Sequence, residues 1–251
     1  MNAAPASAAS AANGAIAPAG APGADTRALA AQAPHCLYAD EDLLALAKPA
    51  GLLCVPGRGP LKQDALSTRA QRHWPGALVV HRLDQATSGL VLMARHPEAQ
   101  RRLGMAFAAQ AVHKHYQALV HGRPRAAPLA HPRAQGPGWG LIELPLTPDW
   151  PRRPLQKVDH AAGKPSQTLW RTLASDAGGT RSRLLLQPLS GRTHQLRLHL
   201  AHIGHPIVGD RLYGPPGQAD EAPRLLLHAW RLALAHPRTG QWLELACPLP
   251  F

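Results

Sequence analysis

One carboxylate stands alone in a basic stretch. Between Asp64 and Glu98 the only acidic residue is Asp84, in the run HRLDQATSGLVLMAR (81–95), and Arg69, Arg72, Arg82 and Arg95 surround it along the chain. A solvated surface normally intersperses both signs. An acid isolated among arginines is therefore either a structural ion pair or a catalytic group. The ordinary alternative is a turn-forming Asp whose side chain bonds the backbone of the following Gln-Ala-Thr-Ser-Gly. Thr87, Ser88 and Gly89 weigh against it, because residues this small allow another backbone or a ligand to come close. A single carboxylate so placed can act as nucleophile or as general base.

A second set of candidates lies in THQLRLHLAHIG (193–204). The spacing predicts a helix in which Thr193 caps the start, Leu196, Leu200 and Ile203 form the apolar stripe, and Gly204 ends it. His194 and Arg197, three apart, then share a face and can point together into a cleft. The histidines 194, 199, 202 and 205 invite a metal reading. However, His194 lies about 140° around the helix from His199, no carboxylate adjoins them, and Arg192 and Arg197 would repel a cation. No metal site is expected there. The chain contains no G-x-x-x-x-G-K-[ST], no G-x-G-x-x-G and no H-E-x-x-H, which argues against ATP use and hydride transfer. Cys36, Cys54 and Cys247 are odd in number and widely spaced, as expected of reduced core cysteines rather than a disulfide framework.

Charge narrows the partner. Across 251 residues, 27 Lys+Arg face 15 Asp+Glu, a formal net charge of +12, and 22 of the 27 cations are Arg. Each cation that neutralises a phosphate releases condensed counterions, and the guanidinium fork pairs phosphate bidentately and stacks on bases. Nucleic acid is the expected partner. No run of eighteen apolar residues and no signal-peptide pattern occurs, so neither a membrane nor secretion is expected; the expectation is a cytoplasmic monomer.

The elements that would hold these residues are mostly extended. Residues 1–33, rich in Ala, Pro, Gly and Ser with few large apolar side chains, are expected to form a disordered tail. From residue 34 onward, strands are expected on both sides of an Asp40-Glu41-Asp42 turn, followed by a corner at Lys48-Pro49-Ala50-Gly51. Further strands are expected at 77–80, 90–95, 115–122, 167–173 and 182–189. Two more at the C-terminus are joined by Pro-Arg-Thr-Gly. Two helices are expected, one starting at Pro97 and carrying Leu103, Ala106, Phe107 and Gln110, the other being 193–204. Residues 132–158 read as a long Pro/Gly-rich excursion carrying Arg133, Arg152, Arg153 and Lys157, suited to holding substrate. The sum is one α+β domain over 34–251 with a largely antiparallel mixed sheet flanked by helices and loops.

The motifs KPAGLLCVP, HRLDQATSGLVLMAR, HKHYQALVHG and GRTHQLRLHLAHIGHPIVGDRLYG, in this order, resemble the signature blocks of the RluA family of RNA pseudouridine synthases. The likeness runs from about His35 to Phe251. It implies the pseudouridine synthase fold, isomerisation of uridine to pseudouridine in RNA, and no cofactor. By motif match, Asp84 corresponds to the family's essential aspartate and Tyr116 to the tyrosine that packs against the target uracil. Arg197 corresponds to the basic residue that pairs with the aspartate, and Arg82 to an arginine associated with replacing the extruded base. His81, Thr87, Arg192 and His194 share these blocks and are assigned supporting RNA contacts, as are Arg152 and Arg153. The absence of an S4-type module ahead of the body is similar to compact members that act on small hairpins. A tRNA anticodon stem-loop, a 23S rRNA hairpin, or both are then the expected substrates. A non-catalytic RNA-binding or ribosome assembly factor of the same fold is the alternative class. A hydrolase acting on nucleic acid is disfavoured because no metal cluster or paired carboxylates accompany Asp84.

Overall fold

A computed structural model describes residues 33–251 apart from 127, 128, 130, 135 and 219. The stretch expected to form a tail, but for Ala33, lies outside the described residues. In chain order the elements are β1 (His35–Ala39), β2 (Leu43–Lys48), α1 (Leu66–His73), β3 (Leu78–Val79), β4 (Ser88–Ala94), α2 (Pro97–Ala108) and β5 (His113–His121). There follow β6 (Trp139–Glu143), β7 (Leu146–Pro148), β8 (Gln156–Val158), β9 (Gln167–Ser175), β10 (Arg181–Pro188), α3 (Gln195–His202), β11 (Leu227–Ala235) and β12 (Trp242–Ala246).

Ten strands form one sheet in the order β1-β2-β4-β11-β5-β10-β9-β6, with β12 on β11 and β3 on β4. All its ladders are antiparallel except β4 with β11, so the expected mixed, mainly antiparallel α+β architecture is what the chain adopts. β2 and β4 are buried on both faces. Leu43, Ala45, Leu90 and Leu92 pack with Leu103 of α2, while Leu44, Leu46, Val91 and Met93 pack with Leu66 and Ala70 of α1. The period-2 alternation of side chains thus sends successive residues to different helices. Leu196 and Leu200 of α3 join Val120, Leu184, Leu186 and Leu227 in a further cluster. Tyr116 of β5 touches both this cluster and the one beneath α1.

Some elements differ from the sequence expectation. α1 was not expected: its eight residues carry one large apolar side chain and no side-chain cap, so burial against β2 and β4 rather than propensity holds it. Within the 132–158 excursion, β6 completes the sheet edge and β7 pairs with β8. Gly140 breaks the strand pattern, but a Cβ there would overlap the Trp170 indole, so glycine marks a close approach rather than a loop. Thr193 does not cap α3. His194 occupies the N-cap position at φ 54 with no capping side-chain bond. The Gln195 side chain ties that end down instead, accepting from Ser190 Oγ and Arg192 N and donating to Gln167 O and Thr168 Oγ1. Gly204, at φ 82, ends the helix as expected.

Gly89 sets the central crossing. It faces Ala229 across the parallel pair at φ 116, and a Cβ would overlap the Ala229 carbonyl and amide. Gly89→Ala is therefore expected to cost about 3 kcal/mol or more through backbone strain and steric displacement, read as a lowered urea midpoint with unchanged slope.

Three histidines are locked in neutral form. His81 Nε2 accepts from Leu92 N at 2.9 Å, and its ring stacks on Phe107 at 4.5 Å. His199 bonds Ser166 Oγ and Thr168 Oγ1, and His228 bonds Ser88 Oγ. Burial lowers their pKa values to about 3, 4 and 4. Each folded value lies below the ordinary 6.5, so the unfolded chain binds more protons between the two. This part of the stability is complete above pH 6.5 and lost as pH falls. The expected loss between pH 6.5 and 5.5 is at most about 3 kcal/mol, measurable from urea unfolding at the two pH values. His199→Gln is expected to reduce the slope.

Candidate active site

Asp84 sits on the turn between β3 and β4, and the turn is closed by its backbone. Thr87 N–H donates to the Asp84 carbonyl at 3.1 Å, whereas the Asp84 carboxylate has no hydrogen-bond or ion-pair partner among the described residues. Asp40, Asp149, Asp159, Asp176 and Asp210 all use their side chains to bond the local chain or a nearby partner. The turn-forming reading of Asp84 thus holds for its main chain alone, and its side chain is partly exposed and without a partner among the described residues.

The turn itself is rigidly placed. Lys48, 2% exposed, donates its ammonium to the carbonyls of Pro49, Leu52 and Gln85 at 2.9, 2.7 and 3.0 Å. Gly51 N–H also donates to Gln85 O, and Gln85 Nε2 returns a bond to Gly51 O. The expected 48–51 corner is therefore clamped onto the Asp84 turn. Burial lowers the Lys48 pKa to about 8, while the negative charge of Asp84 acts in the opposite direction. Three carbonyl acceptors offset the desolvation of this cation.

Two recesses meet at Asp84 and Arg197, which line both. The larger, about 530 Å³, is also lined by His194, Pro154, Leu212 and Arg224. The smaller, about 100 Å³, has Tyr116, Thr87, Arg82, Lys114 and Arg192 on its walls. The proximity of His194 and Arg197 expected from their spacing is realised in the first. Arg197, however, is not directly paired with Asp84. Its guanidinium grips Asp210 bidentately at 2.8 and 2.6 Å, both residues being buried. A buried guanidinium requires a partner at hydrogen-bond distance, and Asp210, on the turn after α3, supplies one. Burial opposes its charge, but the bonds and charge of Asp210, with Asp84 behind, push the Arg197 pKa further up. Asp84 therefore faces a fixed cation without being consumed by it.

Tyr116 projects from the middle of β5. Burial first, then the charge of Asp84, hold its phenol above its ordinary pKa, so it is a neutral, largely apolar wall. His194 bonds the Tyr213 hydroxyl through Nδ1 at 2.8 Å; burial lowers its pKa although Asp84 pulls it the other way. Arg82 is exposed with no partner among the described residues. Arg192 is exposed and reaches Pro165 O at 3.3 Å. Arg152 is held by Asp149 at 2.6 Å, and Arg153 lies 3.5 Å over the Trp150 ring. Both are on the loop whose Pro154 lines the larger recess.

His81 is partly buried and lines neither recess. It was expected to contact RNA, but its ring turns inward, where the β3–β4 ladder stops short of Leu92 and leaves an N–H for it to accept. Buried donors are nearly always paired, and that requirement decides its orientation. His199 is likewise a satisfied core residue. Lys48, Asp210, Tyr213 and Arg224 were not picked out from sequence. Their signals were present only as a basic residue before Pro49 and a lone acid in VGDRLYG.

A model of the RNA pseudouridylate synthase family matches residues 42–202. Over 215 residues the chain is 43% identical to the dual-specificity RNA pseudouridine synthase RluA of Escherichia coli strain K12, covering 86% of this chain and 93% of that protein. The RluA of Yersinia pestis is 42% identical over 86% of this chain and 98% of its own. Among solved structures, human RNA Pseudouridylate Synthase Domain Containing 1 superposes with a TM-score of 0.69 at 28% identity, covering 92% of this chain and 86% of that one. With the fold, the cleft and these relatives in agreement, the chain belongs to the RNA pseudouridine synthases, isomerases that act on RNA.

Proposed function

We propose that Asp84 is the catalytic carboxylate, that it acts on a uridine flipped into the cleft, and that the substrates are hairpins: a tRNA anticodon stem-loop, a 23S rRNA hairpin, or both. The observation that carries the proposal is a carboxylate without a partner among the described residues, opposite a fixed, buried arginine at the junction of two recesses. Isomerisation breaks the bond from ribose C1′ to uracil N1 and forms one from C1′ to C5. The C5 hydrogen leaves as a proton, N1 gains one, and no net electrons are exchanged. Such a reaction needs a group that acts at the ribose and a pocket that keeps the detached uracil in place to turn. Asp84 acts at the sugar, Tyr116 packs on the uracil, and Arg197 provides positive charge opposite the carboxylate.

Flipping a base costs a few kcal/mol of lost stacking. Arg82, exposed and without a partner among the described residues, fills the vacated place in the stem, and Arg192, Arg152 and Arg153 meet phosphates. Thr87 and His194 line the cleft on either side of the carboxylate. The net charge of +12 favours encounter with RNA. The substrate proposal is tested with hairpins tritiated at uridine C5. Release of tritium to water from an anticodon stem-loop or a 23S hairpin is expected, and no release from any of them overturns it.

A further inference from the structure

Trp150 is a large apolar side chain with 65% of its surface exposed, and it lies on a tightly organised loop. Asp149 N–H donates to Leu155 O, Arg152 N–H to Asp149 O, and Leu155 N–H to Arg152 O, all within 2.9–3.0 Å. The buried Asp149 carboxylate also takes the Arg152 guanidinium at 2.6–2.7 Å. The loop is anchored to the cleft, because Gln156 N–H donates to the Tyr213 hydroxyl at 2.8 Å, and the same oxygen bonds His194. Pro154, four residues from the indole, lines the recess that holds Asp84. Arg153 covers one face of the ring at 3.5 Å and leaves the other to solvent.

Such an arrangement is costly without an occupant, since an exposed indole forgoes burial and a fixed loop has already lost its entropy. An indole backed by a guanidinium and flanked by a second arginine matches one kind of ligand: a flat, π-faced ring on an anionic backbone. Arg211 and Arg224 continue the positive lining into the cleft, which favours RNA over a neutral or cationic partner. We propose that Trp150 is a stacking platform for an unpaired loop base beside the flipped uridine, so that this loop contributes to hairpin selection. The inference rests on the hairpin reading above and assigns a contact which that reading did not include.

The test uses the full chain as wild type, Trp150→Ala and Trp150→Phe, with RNA hairpins carrying a single abasic site at each loop position in turn, and reads dissociation constants and tritium release separately. Trp150→Ala is expected to weaken hairpin binding about 5- to 100-fold, with an unchanged melting temperature, and Trp150→Phe to restore most of it. At one loop position the abasic substitution should remove the difference between wild type and Trp150→Ala, because the two changes delete the same contact. Unchanged binding by Trp150→Ala, or an equal loss on blunt duplex RNA, overturns the platform. If binding is unchanged while the wild type releases tritium, the platform alone fails. If binding falls as expected but no hairpin releases tritium, the substrate reading fails and the platform stands. A wild type that binds no hairpin overturns both.

Discussion

Asp84→Asn is expected to lower tritium release from a cognate hairpin by at least about 10⁴-fold, the scale seen when a group that reacts directly with substrate is removed. Asn is nearly isosteric, and the Asp84 side chain makes no bond that holds the fold, while the turn is closed by its carbonyl and by the Lys48 clamp. Stability should therefore change little. Hairpin affinity should stay within about threefold or tighten slightly, because phosphate contacts carry the affinity and one negative charge has left the cleft. Equal turnover by the variant would remove Asp84 from the chemistry, and a parallel loss of binding would recast it as an RNA contact. A protein that only binds RNA predicts no release from the wild type either, so one pair of measurements separates the two classes.

The second large effect concerns Arg197 and Asp210. Their side chains are 5% and 1% exposed, so removing either partner leaves an uncompensated charge in the interior. Arg197→Met or Asp210→Asn is expected to cost about 3–5 kcal/mol, a fall of roughly 6–20 °C in Tm for a domain of this size. Asp210 also accepts from the N–H groups of Leu212 and Tyr213 at 2.9 and 3.1 Å, so its loss loosens the turn that carries Tyr213. Replacing both partners together, with Met at 197 and Leu at 210, should cost less than the sum of the single changes. Additive losses in that cycle would mean that the pair is not coupled. Activity gives an independent reading: Asp210→Asn, assayed well below its melting temperature, frees the guanidinium to move onto Asp84 and should lower kcat more than it raises KM.

Much of the fold was legible because it rests on period and punctuation. The short apolar runs in LLALAK and LVLMA, the proline opening α2, the glycine ending α3 and the Pro-Arg-Thr-Gly turn between β11 and β12 are local signals, and each became the element it indicated. α1 and β6 were not legible, since one is held by tertiary burial and the other is interrupted by a glycine that makes room for Trp170. The site divides the same way. Asp84 stood out through its isolation in charge, and the meeting of His194 and Arg197 at one recess was indicated by their spacing, although His194 lies just outside the helix.

What the sequence determined by itself was therefore the chemistry on offer: a lone carboxylate, a surplus of arginine, small residues at the Asp84 turn, and motifs in the order of an RNA-modifying family. What only the tertiary structure decided was the partner of each group. Arg197 took Asp210 rather than Asp84, His81 turned inward to the Leu92 N–H left where the β3–β4 ladder ends, and Lys48 fastened the corner to the turn. The physical reason is common to all three. A buried polar atom must find a partner within about 3 Å, and which atom lies there depends on where distant segments cross, which residue types and spacing do not encode.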